Sequence, residues 1–399
     1  MSESLLGGIS DTRTSPDKQA ETELERQAKD KAREIAEAGQ TYEYIFGVWQ
    51  RRHHGDAPLG KALLFSLGSQ SVSNASGIHV AATGEGGYGK SDGIKKMGKL
   101  VHPKFWKNGG FTPQTLYYSG PDMPNGVVIG LDDVVWGSEL GVTVKRITTD
   151  FQEGAIRVST VEMKGVEVRT AKRIAFWASC VDSQADEQIR DRFIMYNVKS
   201  DSDRRHEILR HMIARDEGDQ LPEESDLETK VCQALTCDLK QKLFNVTIPF
   251  ATRMRFDGDP RAYGMFSDMI KSSAVFRYRK REEPEVGQLI ATIEDFENAK
   301  SLYVEIGGHD RDKYTDAELR VLNAIVAKDG EATQAEIQEG AKLSSGRVSD
   351  ILNGRGKQGH GLLYKCKDII VEDGRPIRYR LRSGFNPAYS VSIDLMEPT

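Results

Sequence analysis

Residues 77 to 92 read Gly-Ile-His-Val-Ala-Ala-Thr-Gly-Glu-Gly-Gly-Tyr-Gly-Lys-Ser-Asp, and within them Gly84 to Ser91 satisfy the pattern G-x-x-x-x-G-K-[ST] without a mismatch. No other stretch limits the fold as strongly. A loop of this kind passes through positive φ and turns successive N–H groups inward to make an anion nest, which Gly84, Gly86, Gly87 and Gly89 permit. Glu85 and Tyr88 occupy the variable positions, and Asp92 follows the motif. Lys90 is expected to place a point charge on β- and γ-phosphates, and the Ser91 hydroxyl to hold Mg2+. The helix after it should point its N-terminus at the same anions. A glycine-rich turn spelling the motif by chance would lack the right neighbours. Here Ile78, Val80, Ala81 and Ala82 form the apolar run of a buried parallel strand, and Ile94, Met97 and Leu100 follow at helical spacing. Strand, loop and helix in that order predict an α/β core that binds ATP through residues 84–92.

Length and composition bound the rest. A chain of 399 residues exceeds one ordinary core. No apolar run approaches the ~18 residues of a membrane span, and Met1 to Lys18 lack the apolar core of a signal peptide. A cytoplasmic protein without a membrane partner is expected. Cys180, Cys232, Cys237 and Cys366 are scattered, which reads as reduced core thiols. The formal net charge of −5 means that any nucleic-acid role must rest on local basic patches.

Residues 1–40 are charged and poor in large apolar side chains, so a disordered start and a solvated helix are expected. Two core helices should follow between Tyr42 and Ser73, separated by His53-His54-Gly55-Asp56, which reads as a surface turn in preference to a metal site. After the loop, Gln114 to Ser119 reads as a strand, and Val127-Val-Ile-Gly-Leu-Asp-Asp133 as an apolar strand ending in acids. Such acids hold magnesium, through water, from the C-terminal edge of a strand; Asp132 is the metal-side carboxylate and Asp133 the candidate that polarises the attacking water. Ile156 to Arg169 alternate around Lys164-Gly165, a hairpin signal, and Arg173 to Ser179 give another apolar strand ending in a hydroxyl.

Gly84 to Ser91, Asp132-Asp133, the hairpin with Met163-Lys164-Gly165, the strand ending at Ser179 and Arg190-Asp-Arg-Phe193 occur in the order seen in AAA+ ATPases. Over roughly residues 45–285 the chain most resembles the minichromosome maintenance helicases and their shorter relatives in archaeal plasmids, viruses and integrated elements. The resemblance implies a ring, expected to be a homo-hexamer, with each ATPase site shared between subunits. It implies that Lys164 contacts single-stranded DNA in the channel, that Ser179 is the sensor residue where the family usually has asparagine, and that Arg192 is a trans-acting arginine finger. The chain departs from the family in carrying Asp133 where a glutamate is usual, one methylene shorter. Fewer than 45 residues precede the similar region, too few for the family's N-terminal DNA-binding domain.

Residues 201–290 read as a helical lid, with Arg261 near a helix start as a possible second sensor of nucleotide phosphate; Arg253 or Arg255 could fill that role. A linker is expected over 291–312. From 313 to 385 three helical patterns, with a capping box at Thr333-Gln-Ala-Glu336 and Ser344 or Ser345 as the third cap, precede a two-stranded ribbon. That is the pattern of a winged helix. Arg347, Arg355, Lys357, Arg378 and Arg380 make it locally basic, suited to duplex DNA phosphates, while a protein-docking role stays open. Residues 386–399 read as a tail. The chain is therefore expected to be an AAA+ P-loop ATPase with core 41–200, a lid and a C-terminal winged helix. It would act as a DNA helicase or, alternatively, as an ATP-switched DNA-binding initiator or regulator that does not translocate.

Overall fold

In the computed structural model of the chain, the apolar run ahead of the phosphate loop forms β1 (His79–Thr83), with all five residues buried. The structure describes residues 15–53, 55–84, 87–136, 138–161, 164–180, 189, 192–198, 206, 209–210, 213, 226–256, 260–306, 314, 316–354, 361–366, 369–372, 374, 376–382 and 393–396. β1 is one of five parallel strands. With β2 (Trp106–Asn108), β3 (Val128–Leu131), β6 (Ala175–Ser179) and β7 (Phe193–Asn197) it forms a sheet of order β2-β3-β6-β1-β7. β1, β3 and β6 are buried along their whole length, as a parallel sheet covered on both faces requires. β6 therefore separates the strand that feeds the phosphate loop from the strand that ends in Asp132 and Asp133.

Among the helices before the sheet, α1 (Ser15–Glu37), α2 (Thr41–Arg52) and α3 (Ala57–Ser69), the third is the central one. Leu59, Leu63, Leu64 and Leu67 are all fully buried, each contributing about 2 kcal/mol of transfer free energy. A helix apolar on every side must be enclosed on every side. Ser66 donates to Ile78 O (2.6 Å) and accepts from Trp177 Nε1 (2.9 Å), which fastens α3 to the segment entering β1 and to β6. α4 (Lys90–Leu100) then leaves the loop with Ile94, Met97 and Leu100 buried, as their spacing predicts. α/β P-loop architecture is thus present as expected.

Several local expectations are corrected. Residues 113–118 form helix α5 (Pro113–Tyr118), not a strand. Thr112 accepts from Thr115 N–H in a capping box, and Pro113 sits where its fixed φ starts a helix, which outweighs the strand preference of Leu-Tyr-Tyr. α1 is not merely solvated: Ala28, Ala32 and Ala36 are buried in a stripe that packs on α7 (Asp226–Lys240). After α6 (Glu139–Thr149), β4 (Ile156–Val161) and β5 (Lys164–Arg169) form the expected antiparallel hairpin. Val161 pairs with Lys164, so Lys164 opens the return strand, while Met163 lies outside the described residues. The expected linker contains α9 (Ile293–Glu305), with Phe296, Ala299, Leu302 and Tyr303 buried against the same core as α8 (Pro260–Val275). Thr292 and Asp295 form the capping box that starts it.

The C-terminal region has its own apolar core, including Val321, Leu322, Ile325, Ile337, Val348 and Leu352. Three helices, α10 (Asp316–Val326), α11 (Gln334–Ala341) and α12 (Ser345–Asn353), pack with an antiparallel sheet of order β11-β13-β12. Its strands are β11 (Glu331–Thr333), β12 (Ile369–Glu372) and β13 (Arg378–Leu381), one more than the expected ribbon. Thr333 and Ser344 cap α11 and α12 through their side chains. Beyond this region the expected tail contains β14 (Ile393–Leu395), which pairs with β9 (Met254–Phe256) and buries Ile393 in the main core. No helix among the described residues is long and apolar enough to cross a membrane.

Candidate nucleotide site

The C-terminal ends of β1, β3 and β6 converge on one place. Gly84 leaves β1 at φ +122, where a Cβ would sit 3.1 Å from Asn197 Oδ1 and from Val198 O, so glycine is required by both backbone and space. Gly87 and Gly89 also have positive φ, while Glu85 and Gly86 lie outside the described residues. Lys90 is buried and its ammonium is folded back onto the carbonyl of Gly84. Ser91 donates to Ser179 Oγ (2.9 Å), and the fully buried Ser179 donates to Asp132 Oδ1 (3.3 Å) and accepts from Asp133 N–H (3.3 Å). Ser91, Ser179, Asp132 and Asp133, which lie far apart in sequence, are thereby joined at the exit of the sheet.

This cluster presents hard oxygen donors, Ser91 Oγ and the Asp132 carboxylate, of the type that suits Mg2+. Among the described residues no group of three or more His, Cys, Asp or Glu side chains is arranged to hold a metal. Mg2+ at Ser91 and Asp132 would therefore share its coordination with nucleotide phosphate oxygens and water. Lys95 Nζ already stands 2.7 Å from Asp132 Oδ2. Asp133 has φ 51, a left-handed conformation that Asp tolerates better than most residues.

Asp92, expected among the nucleotide-binding residues, is engaged by two protein side chains. Its carboxylate meets His53 Nδ1 (3.0 Å) and Lys96 Nζ (2.9 Å). Burial alone would raise the Asp92 pKa, but the hydrogen bonds from His53 and Lys96 outweigh it and hold the group at about 2. His53, expected in a surface turn, is only 4% exposed. Its other nitrogen, Nε2, is 3.1 Å from Asp56 Oδ2, and Asp56 Oδ1 accepts from the Tyr196 hydroxyl (3.0 Å). Burial pushes the imidazole pKa down, but the two carboxylates prevail and raise it. Reading the sequence for metal ligands misses this arrangement; the signal available is the spacing of His53 and Asp56 across the turn at Gly55. His54 lies outside the described residues.

The remaining expected residues are not gathered here. Arg192 precedes β7, which pairs with β1 from His79↔Phe193 to Thr83↔Asn197, so it lies at the opposite end of the sheet from the phosphate loop. Four residues of strand make that about 13 Å, before the width of the sheet is added. After burial, the positive charge of Arg192 is the second cause that lowers the pKa of His79, to about 3, at that same end. Arg261 lies in the first turn of α8, a helix anchored where Asp268 accepts from Ser76 N–H (2.7 Å), also ahead of β1. Arg255 belongs to the β9–β14 pairing, and Arg253, just before β9, accepts from Met396 N–H (3.0 Å). Arg347 is exposed on α12, while Arg378 pairs with Glu331 and Arg380 with Glu372, each at 2.8 Å, so the basic surface is smaller than its arginine count suggests. Arg355 and Lys357 lie outside the described residues.

A glycine loop between a buried parallel strand and a helix, with acids at the end of a second strand, defines a nucleotide-binding P-loop protein of the NTPase class. The chain belongs to the MTBMA_p00010 P-loop domain family, whose model matches residues 23–242, more than half of the chain. No curated protein matches it.

Proposed function

We propose that the protein is an AAA+ ATPase of the minichromosome maintenance type, working as a homo-oligomeric ring that moves along DNA. The observation that carries this reading is the insertion of β6 between β1 and β3, which puts Ser179 in hydrogen-bond contact with both Ser91 and Asp132. A residue so placed can respond to the γ-phosphate while touching both groups assigned to the metal. Lys90 and the loop N–H groups bind the phosphates, and Asp133 orients the attacking water. Mg2+, when bound at Ser91 and Asp132, neutralises charge on the phosphate oxygens.

The position of Arg192 supports catalysis between subunits. A side chain at the far end of the sheet cannot serve its own chain's loop, yet it is suitably placed to meet the loop of a neighbour in a head-to-tail ring. Arg261, in the first turn of α8, is assigned to a second sensor of nucleotide phosphate. The C-terminal helices and three-stranded sheet support a winged helix, with Arg347 exposed towards a duplex and the Arg378 and Arg380 pairs open to competition from DNA phosphates. The β4–β5 hairpin is assigned to single-stranded DNA in the channel.

A second reading is favoured by Asp133. A carboxylate one methylene shorter than glutamate suits slow hydrolysis, hence an ATP-switched initiator or regulator that assembles on DNA without translocating. Strand displacement on a forked DNA with ATP, against a non-hydrolysable analogue, separates the two. Unwinding only with ATP supports the helicase; DNA binding with either nucleotide and no unwinding supports the switch.

A further inference from the structure

The buried histidine beneath the phosphate loop is tied to the loop's support more closely than a turn residue needs. His53 lies between two carboxylates, Asp56 at 3.1 Å on Nε2 and Asp92 at 3.0 Å on Nδ1. A neutral imidazole has one N–H and one lone pair, so it can satisfy only one of two ionised carboxylates. The imidazolium donates to both. Each carboxylate has a second donor: Lys96 holds Asp92 from the other side at 2.9 Å, and the Tyr196 hydroxyl holds Asp56 at 3.0 Å.

The ring also lies directly against the backbone that presents the phosphate site. A Cβ on Gly93 would stand 3.1 Å from His53 Nε2, and one on Gly89 would stand 3.4 Å from Cε1. Trp49, whose ring centroid is 4.9 Å from that of His53, donates from Nε1 to Gly93 O (2.9 Å). Gly89 and Gly93 bracket Lys90 and Ser91 in the first turn of α4. Asp92 belongs to the same turn, so its bond to His53 ties that turn to the ring.

We infer that His53 is a positioning residue for the nucleotide site: held between Asp56 and Asp92, it fixes the first turn of α4, so that Lys90 and Ser91 meet the phosphates in register. The inference rests on the reading of residues 84–91 as a nucleotide site. Its direction of effect follows from geometry. His53 touches the loop's support and not the reacting atoms, so its loss should weaken nucleotide binding in ground and transition states alike, raising KM and leaving kcat.

The test uses the full chain with a fluorescent ATP analogue and Mg2+, comparing wild type, His53→Gln, Asp92→Asn and the double variant. Each single variant is expected to bind about tenfold more weakly, with kcat at saturating ATP within about twofold of wild type. The double variant should be no weaker than the weaker single one, because both changes break the same interaction. Affinity within about twofold of wild type for folded Asp92→Asn, or losses that simply add in the double variant, would overturn the inference. Asp92 is 52% exposed, so its amide variant carries the test even where His53→Gln fails to fold. Wild type that binds no nucleotide would overturn the site reading itself, and this inference with it.

Discussion

Lys95 Nζ stands 2.7 Å from Asp132 Oδ2, with an internal cation beside the carboxylate assigned to magnesium. Both side chains are more than a third exposed, at 47% and 41%, so the pair is worth at most about 1 kcal/mol after solvent screening. Magnesium has to displace or share that ammonium. Lys95→Met is therefore expected to lower the Mg2+ concentration for half-maximal nucleotide binding by up to about fivefold, the ratio that 1 kcal/mol allows. Titrating Mg2+ against bound fluorescent nucleotide reads this directly; an unchanged midpoint would exclude competition.

Asp133 combines a left-handed backbone with an amide bonded to the buried Ser179 hydroxyl. Asp133→Asn keeps size and backbone preference while removing the charge proposed to orient water. Nucleotide affinity should stay within about twofold, and steady-state hydrolysis should fall by about 100-fold or more. Phosphate release at saturating ATP checks it. Asp133→Glu is the informative companion: faster hydrolysis would identify the missing methylene as the limit on rate.

Arg192 and the phosphate loop occupy opposite ends of paired strands, which predicts complementation between defective subunits. Arg192→Ala alone should bind ATP and lose about a thousandfold in hydrolysis, as removal of an arginine finger does. Lys90→Ala alone should fail to bind. Mixed in equal amounts, the two restore about a quarter of the interfaces in a randomly assembled ring, since each intact interface needs one sound half from each chain. Recovery of ATPase activity on mixing is the expected outcome; none at any ratio points to a site within one chain.

The His53 cluster makes stability depend on pH in a definite direction. A histidine whose folded pKa is raised contributes fully below its unfolded value near 6.5, and that contribution is lost as pH rises through the folded value. Asp92 behaves oppositely: its contribution is present above about 3.8 and lost as pH falls towards 2. The groups facing His53 are Asp56 and Asp92, with Lys96 and Tyr196 behind them. Tm should therefore fall as pH is raised above 6.5, and His53→Gln should flatten that part of the profile. Equal slopes in both proteins would show that the fall has another source.

What can be read in the sequence depends on whether a residue's role is local. The loop from Gly84 to Ser91, β1 and α4 each follow from short-range pattern, and all three are found. The capping box at Thr333 and the cap at Ser344 are equally legible. Thr112-Pro113 carries a comparable helix-start signal, yet apolar Leu116, Tyr117 and Tyr118 suggest a strand. α1 reads as solvated because Ala28, Ala32 and Ala36 are small, and a stripe of small residues becomes a packing face only against a partner such as α7. His53, Asp56, Asp92 and Tyr196 are brought together from separate parts of the chain, and no spacing rule joins all four.

The hairpin offers the sharpest division between energy and movement. β4 and β5 pair with each other and lie outside the five-stranded sheet, and Val158 is 70% exposed on β4. Lys164 pairs with Val161 at the end of that ladder, while Val168 near its other end is the residue buried in the core, so Lys164 can be altered without disturbing Ser91, Ser179 or Asp132. If the lysine grips phosphates in the channel, Lys164→Ala removes one cationic group per subunit. ATP hydrolysis should stay within about twofold without DNA, and the salt dependence of DNA affinity should become shallower by about one unit for each phosphate no longer neutralised. Unwinding of a forked substrate should be abolished, because a ring that hydrolyses ATP without gripping DNA slips. Equal loss of hydrolysis and unwinding, or of neither, would remove the hairpin from the DNA-moving role.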